Sequence, residues 1–170
     1  MNPEINIILT DGRNIKVTLY PEYAPISVEN FLNLVDKKYF DGVIFHRVIE
    51  NFMIQTGGYY IDGNILKEKE GAKSIKGEFI KNGVNNPIKH HKGTISMART
   101  NDPNSASSQF FLCSVDTPHL DGQYAAFGKA SDDESIKVIE DISTVKTGML
   151  SPMFQNFPYE PIIIKTIVKL

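Results

Sequence analysis

Tryptophan is absent from this chain, and cysteine occurs once, as Cys113. A lone cysteine excludes an internal disulfide. An excess of charge of one sign is lacking too: 18 basic against 20 acidic residues leave a net charge of −2. That balance removes any general pull toward nucleic acid or anionic lipid. No apolar run approaches the length of a membrane span, and Met1-Asn2-Pro3-Glu4 is not a basic, apolar leader. Together these absences predict a reducing, cytoplasmic setting with neither nucleic acid nor membrane as partner. What is present is ordinary for a globular protein: 170 residues, 41% hydrophobic and 22% charged. That is enough for a single domain over 1–170 with a sizeable core, expected to be a monomer.

Residues 4–10 and 13–19 alternate apolar and polar side chains around Asp11-Gly12, a strong hairpin signal. Val28, Phe31, Leu32 and Val35 then recur at helical spacing, so a helix is predicted from about Ser27 to Lys37, started near Pro25 or Ser27. Residues 57–92 carry six glycines in a Lys/Glu-rich stretch and read as long, irregular loops, with 67–73 a solvated face. His90 and His91 offer no metal site. Neighbours on an extended chain point opposite ways, and no carboxylate or cysteine is spaced to complete one. Gly93–Ala98 and Ser108–Cys113 are strand candidates. In the second, Gln109, Phe111 and Cys113 share one face while Phe110 and Leu112 share the other, so both faces are largely apolar and buried. Cys113 reads as a small packed filler. A strand over 124–129 follows, then a helix opened by a Ser131–Glu134 capping box and closed by Gly148 and Pro152, then a last strand over 161–170. About eight strands joined by connections too short for βαβ crossovers predict a mainly β fold, a closed antiparallel barrel with two helices.

Residues 45–58 stand out. Two short runs rich in Val, Ile and Phe are broken by Glu50-Asn51, the pattern of a hairpin on which Met53 and Gln55 face the same way. Arg47 places a permanent cation among large apolar side chains, as a binding surface would. An arginine on the exposed side of an amphipathic hairpin gives the same pattern, and this stretch alone does not decide between them.

Phe45-His46-Arg47, Phe52-Met53-Ile54-Gln55, Ser96-Met97-Ala98-Arg99, Ser108-Gln109-Phe110-Phe111 and Leu120-Asp121-Gly122, in that order, closely resemble the cyclophilin family of peptidyl-prolyl cis-trans isomerases. The resemblance runs over nearly the whole chain. It implies an eight-stranded closed barrel capped by two helices, with a groove on its outer surface for proline-containing peptides and unfolded protein clients, and no cofactor. Arg47 resembles the catalytic arginine, supported by Phe52 and Gln55. Met53, Phe111 and Leu120 resemble walls of the proline pocket. Gln109 resembles a polar group holding the peptide and orienting Arg47, and Ala98 and Arg99 fall where the family's strand hydrogen-bonds the peptide backbone. Arg99-Thr100 and a loop one residue longer match bacterial members rather than many eukaryotic ones. His119 stands where the best-known members have tryptophan, and Tyr124 replaces a frequent histidine. Both positions belong to the predicted substrate-binding set, and their change implies weak rather than tight binding of cyclosporin.

Rotation about an X–Pro bond makes and breaks no covalent bond, so the chain needs no nucleophile, metal or acid–base pair. His46 reads as a hydrogen-bonded structural histidine. Two other readings of the sequence are a proline-peptide binding module without turnover and a hollow, lipocalin-like small-molecule barrel. The bulky apolar residues on both faces of 109–113 speak against the hollow barrel.

Overall fold

The computed structural model of the chain describes residues 2–170. It opens on the predicted hairpin, β1 (Glu4–Leu9) and β2 (Asn14–Leu19), where Ile5, Ile7, Leu9, Ile15, Val17 and Leu19 are all buried and the residues between them face outward. Gly12 turns the chain with a φ of +96°, a conformation that costs a residue with a Cβ. Helix α1 (Pro25–Asp36) begins on its proline and buries Val28, Phe31, Leu34 and Val35, with Leu32 only half-buried at its flank. Ala24 offers no capping side chain there. The carboxylate of buried Glu78, fifty residues on, accepts from the Ile26 and Ser27 amides (3.1 and 2.6 Å) and the Ser27 hydroxyl (2.8 Å). A negative group at a helix N-terminus satisfies orphan amides and the positive end of the dipole together.

Next come β3 (Arg47–Ile49) and β4 (Met53–Thr56), turned by Asn51 at a φ of +61°. The region expected to be irregular holds a separate hairpin, β5 (Tyr59–Asp62) and β6 (Ile65–Glu68). Its residues are half-buried or exposed, so it lacks the one-sided alternation that marks a strand lying on a core. The chain continues through β7 (Thr94–Met97), β8 (Phe110–Cys113), β9 (Ala126–Ala130), α2 (Asp133–Ser143), the short pair β10 (Thr147–Gly148) and β11 (Phe157–Pro158), and β12 (Ile164–Lys169). Helix α2 is capped one residue later than the capping box predicted: Asp132, not Ser131, accepts the Ser135 amide at 2.8 Å. Asp is at least as good a cap as Ser. Its core line is Ser135, Ile139 and Ile142, with Val138 only half-buried. Among the described residues no helix is long and apolar enough to cross a membrane.

Eight strands form one antiparallel sheet in the order β12-β1-β2-β9-β7-β8-β4-β3. The sheet curls but stays open, against the closed barrel expected, with β12 and β3 as its edges. Residues 43–45, which would have to close the ring, divide their hydrogen bonds between two partners. Ile44 N donates to Tyr59 O in β5 (2.9 Å), whereas Phe45 N donates to Ile162 O just before β12 (3.0 Å). Each side is met by a single isolated bridge, Val43 with Tyr60 and Ile44 with Ile163, too few for a ladder, so the seam is bridged but not closed. Inside the curl, Phe31 of α1 meets the rings of Phe40, Phe110 and Phe127 at centroid distances of 5.3–5.4 Å. Strand β8 divides its side chains as its period-2 pattern requires. Phe110 and Leu112 enter this core, while Phe111 and Cys113 join Met53 and Leu120 in a second, smaller cluster on the other face.

Candidate active site

The second cluster lies under a shallow hollow of about 130 Å³ lined by Arg47, Phe52, Met53, Gln55, Ala98, Arg99, Phe111, Leu120 and Tyr124. Three neighbouring strands deliver the centre of it. Register pairs Arg47 with Gln55 across β3–β4 and Gln55 with Phe111 across β4–β8, while Ala98 and Arg99 follow the end of β7. Phe111 and Leu120 are 5% and 8% exposed and Met53 1%, so the floor is made of the open flanks of otherwise packed side chains. Phe52 and Tyr124 are half-buried at its sides.

A hydrogen-bonded relay holds the cation at the rim. Arg47 Nη1 donates to Gln55 Oε1 at 3.2 Å, and Gln55 Nε2 donates to Gln109 Oε1 at 2.9 Å. Gln109 therefore stands behind the hollow and acts on Arg47 through Gln55. Arg99 has a different surrounding. Its guanidinium is sandwiched between the rings of Phe79 (4.7 Å) and Tyr124 (4.6 Å), and it donates to the Gln123 carbonyl at 2.7 Å. Most of its donors are thus engaged, which leaves Arg47 as the exposed cation of the pair, with donors to spare. Phe79 has no sequence signal tying it to the site, since it lies twenty residues from Arg99 in an irregular segment.

His119 does not line the hollow. It is exposed and stacks on Phe52 (5.6 Å between centroids, 27° between planes), so its contact with a substrate would be through that ring's rim. Cys113 is fully buried, and burial pushes its thiol up to about 11, consistent with a packed filler. His90 and His91 point to separate partners: His90 is buried beside Asp121 and Ser96, while His91 is exposed and 3.6 Å from Asp116.

Gly58 borders the relay. A Cβ there would lie 2.6–2.8 Å from the Gln109 side chain. Gly58→Ala is expected to push Gln109 aside, free Gln55 and lower kcat/KM by roughly tenfold, about the worth of one hydrogen bond, without unfolding the protein. Steady-state kinetics beside a thermal melt checks it, and an unchanged kcat/KM would remove Gln109 from the relay's function.

His46 is buried, as expected of a structural histidine, but it is held by aromatic edges rather than hydrogen bonds. Tyr59 lies 4.8 Å away, Phe154 6.4 Å, and Nδ1 has no partner. Burial first and the neighbouring Arg47 second lower its pKa from 6.5 to about 4, so the ring is neutral at neutral pH. The unfolded chain takes up this proton near pH 6.5, the folded one only near pH 4. Between those values the unfolded state binds more protons, so stability falls as pH drops, by up to about 3 kcal/mol from this group. Burial lowers the pKa of His90 as well, which adds a loss of the same sign. Urea midpoints between pH 7 and pH 4 should decline more steeply in the wild type than in His46→Phe.

The geometry just described has close relatives. A family model described as cyclophilin type peptidyl-prolyl cis-trans isomerase/CLD matches residues 5–169. Peptidyl-prolyl cis-trans isomerase A of Dickeya dadantii is 39% identical over 165 residues, covering 94% of this chain and 81% of that protein. Peptidyl-prolyl cis-trans isomerase B of Escherichia coli is 36% identical over 166 residues, covering 93% and 94%. The crystal structure of a Cryptosporidium parvum cyclophilin-type isomerase superposes with a TM-score of 0.77 at 27% identity, covering 100% of this chain and 98% of that one. A crystal structure of such a protein in the presence of the dipeptide Ala-Pro gives 0.74 at 29% identity, covering 97% of each. The chain belongs to the cyclophilin family. Within it, the chain is an enzyme, a peptidyl-prolyl cis-trans isomerase.

Proposed function

We propose that the enzyme accelerates rotation about X–Pro bonds in unfolded or flexible protein segments, with Arg47 stabilising the twisted amide and the hollow holding the proline ring. The observation that carries this is a permanently charged, exposed guanidinium tethered by Gln55 at the edge of a small apolar floor made by Met53, Phe111 and Leu120. An X–Pro bond prefers trans by only about 0.5–1 kcal/mol, yet its rotation faces roughly 18–20 kcal/mol. Uncatalysed exchange takes about 10–100 s. Reaching milliseconds requires about 10⁴–10⁵-fold, or roughly 5.5–7 kcal/mol from the barrier.

Twisting breaks amide resonance and returns a lone pair to the proline nitrogen. A guanidinium N–H aimed at that nitrogen binds the twisted form and neither planar form, so its energy goes into rate rather than into substrate binding. The twisted amide is also the less polar form, and an apolar wall excludes the water that stabilises the planar ones. Phe52 and Tyr124 form the sides of the pocket, and the backbone of Ala98 and Arg99 holds the residue before proline. His119, stacked on Phe52, supplies neither an indole donor nor the same apolar area, so cyclosporin binds weakly. A reducing, cytoplasmic setting fits the single buried thiol, and the protein acts as a monomer.

The test is NMR exchange spectroscopy on a short X–Pro peptide with catalytic amounts of protein. Cross-peaks between cis and trans forms that grow with enzyme concentration are expected. Peptide resonances that shift without exchange would mark a binder and defeat the reading.

A further inference from the structure

One buried ionisable side chain has no part in the chemistry above. His90 is 1% exposed. Its Nδ1 lies 3.1 Å from Asp121 Oδ1, the same oxygen that accepts the His90 backbone N–H at 2.6 Å, and its Nε2 lies 2.9 Å from Ser96 Oγ. Burial lowers its pKa, with Asp121 pulling the other way. In the neutral ring the carboxylate holds the proton on Nδ1, and Nε2 accepts from the Ser96 hydroxyl. The residue types are those of a nucleophilic triad, but Ser96 is 0% exposed, so no substrate reaches its hydroxyl.

The chain of bonds touches the proline pocket from behind at two points. The His90 ring stacks on Phe111, 6.0 Å between centroids and 17° between planes, while Tyr124 meets Phe111 edge-on at 5.9 Å. Ser96 is the register partner of Phe111 across β7–β8. Asp121 directly follows Leu120 at the end of the turn Pro118–Leu120, so its grip on His90 anchors that wall. Phe111 and Leu120 lie on different segments, packed together with Met53, and His90 is hydrogen-bonded toward both: through Ser96 to the strand beside Phe111 and through Asp121 to the residue after Leu120.

We infer that His90 is a positioning residue for the isomerase, its two ring hydrogen bonds setting the floor (Phe111) and the wall (Leu120) of the proline pocket at once. This rests on the reading of the hollow as the proline site. Floor and wall touch the proline ring in planar and twisted forms alike, and the loss of His90's bonds shifts them without opening the pocket to water, so it weakens the binding of both forms by similar amounts. The cost falls on KM and leaves kcat in place, the opposite of losing an interaction made only in the twisted state.

His90→Phe keeps an aromatic face against Phe111 and removes both bonds, while Asp121→Asn and Ser96→Ala each cut one end. For a short X–Pro peptide, His90→Phe is expected to raise KM and the NMR-titrated Kd roughly 5–10-fold, about one hydrogen bond's worth, with kcat within about twofold. In the wild type the His90 imidazole ¹⁵N shifts should report a proton on Nδ1 and should move when peptide binds, although the ring touches no peptide. Unchanged KM and Kd in a folded His90→Phe, a fall confined to kcat, or ¹⁵N shifts blind to peptide would each overturn the inference. If His90→Phe does not fold, Asp121→Asn, whose side chain is partly exposed, is judged on the same readouts. A wild type that binds peptide without turnover would defeat the isomerase mechanism while the Kd comparison still decides the role of His90.

Discussion

Arg47→Ala is expected to lower kcat/KM by about 10²–10³-fold, the usual cost of removing one donor aimed at charge that develops in a transition state. The fold should survive intact. Arg47 is exposed on a short edge strand, and its side-chain bond within the protein is the 3.2 Å one to Gln55. Surface replacements away from caps and buried networks usually change stability by no more than about 0.5 kcal/mol. The loss should fall on kcat rather than KM, because a donor that meets the proline nitrogen only when the amide is twisted contributes nothing to binding the planar peptide. Arg47→Lys separates charge from geometry. It keeps the cation but loses the planar fork that can hold Gln55 and the imide together, so it should recover only part of the rate. Near-wild-type kcat/KM in Arg47→Ala, measured on a protein with an unchanged melting curve, would remove Arg47 from the mechanism and move the whole rate enhancement onto the apolar pocket.

The second large effect is a contrast between adjacent residues. Phe110→Ala should cost about 3–5 kcal/mol of stability, because Phe110 is 0% exposed and meets Phe31 and Phe40 edge-on at 5.3 and 5.5 Å in the main core. The molecules that remain folded should turn over nearly normally, since the side chain points away from the hollow. Phe111→Ala should cost less, about 2–3 kcal/mol, because one flank of the ring already faces the hollow and its cluster is small. It should nevertheless lower kcat/KM by tenfold or more through loss of the pocket floor. Denaturant titrations and kinetics on the same pair of variants test both halves. Equal activity losses per folded molecule would mean that the two faces of β8 are not functionally distinct.

That division is legible in the sequence, since alternate residues of a strand face opposite ways whatever the surroundings. The same local logic located the first hairpin around Asp11-Gly12, both helices and the hairpin that carries Arg47 and Gln55. Every residue that lines the hollow also belongs to the set the family resemblance implied. Gln109 and His119 belong to that set too, yet one works behind Gln55 and the other rests on the outer face of Phe52. A strand pattern says which side a residue faces but not which neighbour stands between it and a ligand. β5 and β6 carry no such signal, because both their faces are partly wet and the alternation of a half-buried strand is lost.

The order of residues by itself determined the first hairpin, both helices, the inward and outward faces of β8 and the balanced charge, because these are written in composition and in spacings of a few residues; it also carries the five motifs by which the chain resembles cyclophilins. The tertiary structure alone decided that the sheet stays open where residues 43–45 make only isolated bridges, that Glu78 caps a helix fifty residues away, and that Asp121, His90 and Ser96 meet in one hydrogen-bonded chain behind Phe111. Those outcomes depend on which distant segments compete for the same donors and the same buried space, and no local period in a chain records that competition.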